Sequence, residues 1–148
     1  MVFSRTVFIR LVVGLVFAGL LCMNFQSIIR GMTQNHAELN DKADDPTLRP
    51  IRSTGSPSEV ADRITDWVNT QSNWQIISRD SPNESGEIAL HLTRTTGLFQ
   101  FVDDIHVRVV DDDNRGASRI EAESQSRVGK GDLGQNARNL RELTGAFR

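Results

Sequence analysis

The sequence predicts an α+β domain: an antiparallel sheet of four to five strands with two helices packed on one face, in the order β-α-β-β-β-β-α, preceded by an N-terminal membrane helix. Three observations predict it. Apolar residues recur at helical spacing twice, at Val60–Val68 and at Leu133–Phe147. Between these stripes, strand-like segments are separated by clusters of Ser, Pro, Asn, Asp and Gly. Ahead of both lies an uncharged run from Leu11 to Ile29, preceded by Arg5 and Arg10.

Residues 1–30 read as a transmembrane signal anchor or a signal peptide. A spanning helix needs roughly 20 mostly apolar residues, and residues 11–29 supply 19 without a charge. No small-x-small cleavage site follows the apolar run, which favours a retained anchor over a cleaved secretory signal. Cys22, the single cysteine, leaves a lipoprotein as a third reading, although Leu21 before it is a poor fit. The basic residues before the span place the N-terminus in the cytoplasm and the C-terminal domain outside it. One cysteine permits no internal disulfide.

Residues 31–47 are polar and read as a linker, with His36 solvated. Residues 48–148 are a common size for one domain. Leu48–Ser53 is a short extended segment that Pro50 confines to a sheet edge. Ser56-Pro57-Ser58-Glu59 opens a helix with a capping box, and Val60, Ile64, Trp67 and Val68 form its stripe up to Gln71. Four strands follow: Trp74–Asp80, Glu87–Thr93, Phe101–Val110 and Ser118–Arg127. Their inward faces carry Ile88, Leu90 and Leu92; Phe101, Ile105, Val107 and Val109; and Ile120, Ala122, Ser124 and Ser126. The last helix takes Asp132 as N-cap, with Gln135 completing a second box. Leu133, Ala137, Leu140 and Phe147 share one face of it, with Leu143 alongside.

The chain carries a formal net charge of −2, and 15 of its 17 basic residues are arginine. No clustered basic excess and no tyrosine are present, which argues against a nucleic-acid partner. Most arginines are expected in mixed ion pairs with the 19 Asp and Glu residues.

Ser124-Gln-Ser-Arg-Val-Gly-Lys-Gly-Asp-Leu-Gly-Gln-Asn-Ala-Arg138 resembles the signature of the domain-of-unknown-function family numbered 1499. Thr93–Asp104, a strand leading into a double aspartate, and Asn73-Trp74, with asparagine in place of the usual glycine, resemble two further family segments. The resemblance covers Leu48 to about Phe147. It implies a small α+β domain that is secreted or attached to a bacterial or plastid membrane, and it implies no activity. The element order is also similar to helix-grip domains, in which a curved sheet wraps a C-terminal helix.

The candidate site is a structural or anion-binding motif: Asp103, Asp104, Ser124, Ser126, Arg127, Gly129, Asp132, Gly134, Asn136 and Arg138. Gly129-Lys130-Gly131 leads into a helix N-terminus, where free N–H groups attract anions. Asp132 as N-cap would occupy those groups itself, so the turn is expected to fix the helix on the sheet. Asn136 is expected to bond a neighbouring strand's backbone. Asp103 points inward by alternation and needs a partner; a salt bridge to Arg127 or Arg138 is expected. The small Ser124 and Ser126, with Ala122, let the last helix sit close or leave a cavity.

No cofactor or metal is expected. Asp111–Asp113 lacks calcium-loop spacing, and His91 and His106, on the polar face, follow no zinc motif. A serine–histidine pair would have to cross the sheet, and no Gly-x-Ser-x-Gly elbow exists. The leading functional expectation is a non-enzymatic, membrane-tethered, extracytoplasmic module that binds a protein partner or supports an envelope assembly through the open polar sheet face or the exposed edge strand. The alternative is a small-molecule or lipid-binding domain with a pocket between the sheet and the C-terminal helix. A continuous apolar pocket of roughly 300 Å³ or more favours the alternative.

Overall fold

The computed structural model describes residues 35–97, 99–112, 116–129 and 132–148. Strand β1 is His36–Glu38, followed by a 3₁₀ turn at Pro46–Leu48 and strand β2 at Ile51–Thr54. Helix α1 spans Pro57–Thr70. Strands β3 (Trp74–Arg79), β4 (Ile88–Thr95), β5 (Val102–Asp111) and β6 (Ala117–Ser126) lead to helix α2, Gln135–Gly145. The fold is α+β, as expected. Its antiparallel sheet runs β1-β6-β5-β4-β3, and β2 also pairs with β6.

The sheet has six strands rather than four to five. The added strand, β1, comes from the segment read as a linker: His36 pairs with Gln125 and Glu38 with Glu123. A three-residue strand against a polar partner carries no apolar alternation, so its sequence gives no strand signal. The rest of that segment is tied down as well. The Asp45 carboxylate accepts from the Thr47 N–H at 2.9 Å and from Arg141 on α2 at 2.7 Å. The Thr47 hydroxyl foremost, which also donates to this carboxylate, then Arg141 and the Thr47 N–H, hold the Asp45 carboxyl well below its usual range, at about 2.

α1 begins where its capping box requires. Ser56 Oγ accepts from the Glu59 N–H, and Glu59 Oε2 accepts from the Ser56 N–H at 2.8 Å. Val60, Ala61, Ile64 and Val68 are buried against the sheet. Ile88, Leu90, Leu92, Ile105, Val107, Val109 and Ile120 face them, joined by Leu140 and Leu143 of α2 in one core. Each fully buried Ile or Leu contributes roughly 1.5–3 kcal/mol.

α2 departs from expectation at its start. Leu133 (φ 53°) and Gly134 (φ 78°) are both left-handed, so the helix starts at Gln135 with Gly134 as its N-cap. This reversal removes Leu133 from the apolar stripe and leaves it 68% exposed. The buried face is Asn136, Asn139, Leu140, Leu143 and Thr144 instead. Gln135 makes no capping box; its side-chain amide donates to Asn139 Oδ1. Phe101 likewise misses the core. It keeps the parity of Asp103 but precedes β5, is 47% exposed and stacks on Phe99 at 5.5 Å.

The leader, residues 1–30, lies outside the described residues. Among the described residues, no helix is long and apolar enough to cross a membrane.

Candidate functional site

Antiparallel pairing brings four features to one end of the sheet. The β4–β5 turn, the C-terminus of β6, the N-terminus of α2 and the N-terminus of β1 all lie there, because Arg94 pairs with Asp103, Asp103 with Ser126, and His36 with Gln125. Between the β4–β5 turn and the β6–α2 loop lies a cleft of about 390 Å³. Asp103 and Ser126 line its floor; Phe99, Phe101, Val128 and Leu133 line its walls.

The floor is the edge of a buried polar network. Ser126 Oγ donates to Asp103 Oδ1, and Asn139 Nδ2 donates to Asp103 Oδ2 at 2.8 Å. Asn139 Nδ2 also donates to Ser124 Oγ at 3.1 Å, Ser124 Oγ donates to Asn136 Oδ1 at 2.7 Å, and Asn136 Nδ2 donates to Ser126 Oγ at 3.2 Å. All five side chains are buried. A carboxylate only accepts, so Asp103 sets the direction of every donor in this loop and fixes how both asparagine amides are turned.

This arrangement corrects two expectations. Asp103 bonds Ser126 and Asn139 rather than Arg127 or Arg138, because the inward face beside it is filled by α2 side chains while Arg127 is exposed at the end of β6. Asn136 bonds the side chains of Ser124 and Ser126 rather than a strand backbone, since both serines project from β6 directly at the helix.

The remaining motif residues divide by sheet face. Asp104, outward, takes a two-pronged bond from Arg127 at 2.7 and 2.8 Å and a bond with His91 Nε2 at 2.8 Å. The Arg127 guanidinium foremost, then His91, holds the Asp104 carboxyl at about 2. His91 stacks on His106 at 4.5 Å on the same face, across the sheet from Ser124 and Ser126. Asp132 serves the helix start without being its N-cap. Its carboxylate accepts from the N–H groups of Gly134 and Asn136, which fills the anion-attracting position. Gly129 borders the cleft; its carbonyl accepts from Asn35 Nδ2 at 2.9 Å. Arg138 lies at the rim and donates to the Leu133 carbonyl at 3.2 Å. Lys130 and Gly131 lie outside the described residues.

Three contributors escaped the sequence reading. Asn139 stands one turn after Asn136, and that i, i+3 pair of amides facing Ser124 and Ser126 was its available signal. Phe99 and Val128 carry no periodic signal, being in turns. A second cavity of about 360 Å³ on the outer face is bordered by Glu38, Asp41, His106, Arg108, Arg119 and Glu121. Its arginines are engaged: Arg108 with Glu87 and Glu121, and Arg119 with Asp41 and Glu121.

Two solved structures show a distant likeness. One is a mutant of the protein Mog1, 9% identical, with a TM-score of 0.34 over 76% of this chain and 63% of that one. The other is the Saccharomyces cerevisiae Ran-binding protein Mog1p, 9% identical, with a TM-score of 0.33 over 76% and 62%. The chain thus spans less than two thirds of the length of either. No curated protein matches it. The profile of the family described as protein of unknown function (DUF1499) matches residues 29–147, and the chain belongs to that family.

Proposed function

We propose that this chain is a membrane-tethered, extracytoplasmic and non-enzymatic binding domain, whose ligand is a small amphipathic molecule held in the cleft at the end of the sheet. The cleft itself carries this reading. At about 390 Å³ it falls within the range of ligand pockets, with apolar walls and few polar groups at its base. Its floor is an acceptor, the Asp103 carboxyl, so a ligand with a donor head such as an ammonium or hydroxyl fits inward while its apolar body lies against Phe101 and Leu133. Residues 11–29 supply the tether.

Hexylamine and hexanoate test the reading on the full chain in lipid nanodiscs, followed by backbone amide NMR shifts. Saturable shifts confined to Ser126, Val128, Gly129 and Leu133 are expected with hexylamine and weaker ones with hexanoate, whose carboxylate would face Asp103. Shifts that never saturate, or that do not distinguish the two heads, would overturn it.

A protein partner at the exposed sheet surface is the second reading. Strand β3 is an edge strand with a bulge between Ile76 and Ser78, and Ile77 there is 53% exposed.

A further inference from the structure

We infer that the cleft end of the domain rests on the bilayer itself, with Phe99, Phe101, Val128 and Leu133 entering the interfacial zone of the lipid. This inference rests on the tethered reading proposed above and goes beyond it by orienting the domain.

Two independent observations meet at this end. The first is where the large apolar side chains are exposed. Among the described residues there are five: Ile77, Phe99, Phe101, Val128 and Leu133. Four of them line one cleft, and two of those, Phe99 and Phe101, are stacked on each other. A contiguous apolar patch on a small domain marks a surface that meets something apolar.

The second observation is where the chain enters the fold. Asn35 is bonded to the cleft's own loop: its side-chain amide donates to the carbonyls of Ser126 and Gly129 at 3.0 and 2.9 Å. The uncharged run ends at Ile29, six residues earlier. Six residues reach no more than roughly 20 Å when fully extended. The opposite end of the sheet, with the turn before β4, lies a ten-residue strand away, roughly 33 Å further. A chain leaving the membrane at residue 29 therefore holds the Phe99–Leu133 end close to the headgroups and cannot bring the far end there without turning the domain over. Aromatic and leucine side chains at the lipid interface gain burial. Arg138, beside Leu133, stands where a lipid phosphate would lie. The lipid of the membrane that holds the leader covers the outer rim of these four side chains, and the ligand cleft between them opens toward it.

The test uses the full chain with Cys22→Ser, reconstituted in phosphatidylcholine–phosphatidylglycerol vesicles. Single cysteines are introduced by Phe99→Cys, Leu133→Cys and, as the far-end control, Ser85→Cys, and labelled with a polarity-sensitive bimane. All three positions are exposed, so the fold should tolerate the label. Blue-shifted emission and several-fold stronger quenching by lipid-borne nitroxide are expected at positions 99 and 133 relative to 85. Equal quenching at all three, in a protein that stays in the membrane through alkaline carbonate washing, would overturn the inference and leave the tether intact. Release by carbonate would overturn the tether and the inference with it.

Discussion

Asn139 and Asp103 meet across the core at 2.8 Å, an α2 amide donating to a β5 carboxyl, and the same amide nitrogen also donates to Ser124. One nitrogen thus satisfies acceptors on two neighbouring strands. Asn139→Ala would leave Asp103 Oδ2 and Ser124 Oγ, both buried, without that donor. A cost of about 2–3 kcal/mol is expected. Asn139→Asp, which turns an acceptor toward Asp103, should cost more. Denaturant unfolding followed by the fluorescence of Trp67 and Trp74 measures both. A loss under about 0.5 kcal/mol for both variants would mean that water replaces the amide.

That bond shows where sequence reading stops. The inward direction of Asp103 follows from alternation, and so does its need for a partner. The partner does not follow, because it depends on which face α2 presents. Two left-handed residues, Leu133 and Gly134, set that face. A periodicity argument that starts the helix at Asp132 puts Leu133 on the stripe and leaves Asn139 off it. The strands β4, β5 and β6 and the capped helix α1 were legible because period and cap agree locally. Strand β1 and the cleft were not, since both arise from long-range pairing of segments with no period of their own. The inward direction of Ser124 and Ser126 was legible from alternation, but their bonds to Asn136 were not, because the face of α2 that meets them was not.

On the outer face, Asp104 should shape the acid stability of the domain. Its carboxyl is held at about 2, below the ordinary aspartate value of 3.8, first by Arg127 and then by His91. A depressed carboxyl favours the fold fully above its unfolded pKa, and that contribution disappears as pH falls toward the folded value. Wild-type protein should therefore lose stability between about pH 4 and pH 2. Asp104→Asn should be less stable at pH 7 and show a flatter acid limb in that window. Denaturation midpoints from pH 7 to pH 2 check this; parallel curves for the two proteins would show that the pair contributes nothing.

At the start of α1, Ser56→Ala should cost about 1 kcal/mol. The hydroxyl is the acceptor for the Glu59 N–H, and Glu59 in turn receives the Ser56 N–H. Ser56→Asp should recover most of the loss, because its carboxylate accepts the same bond and favours the positive helix end. Equal losses for the alanine and aspartate variants would show that the cap bond is immaterial and that Pro57 and packing alone place the helix.

Arg94 and Asp103 sit opposite each other on β4 and β5, and α2 addresses them with residues one turn apart. Asn139 takes Asp103, while Glu142 Oε2 takes Arg94 at 3.0 Å and Glu142 Oε1 accepts from the Trp74 indole N–H at 3.2 Å. Trp74 itself packs edge-on to Trp67 at 5.1 Å. Glu142 thus links α2 to β3 and β4 at once, and the Arg94 side chain, 17% exposed, has little water to fall back on. A double-mutant cycle with Arg94→Met and Glu142→Gln should give a coupling of about 1–2 kcal/mol, above that of an ordinary surface pair. Glu142→Gln keeps an oxygen for Trp74, so its fluorescence should stay near wild type, whereas Glu142→Ala should red-shift it as water reaches the indole. A coupling near zero would mean that Arg94 is held by packing of its stem. The tryptophan contact would then be the one bond by which Glu142 orients the helix.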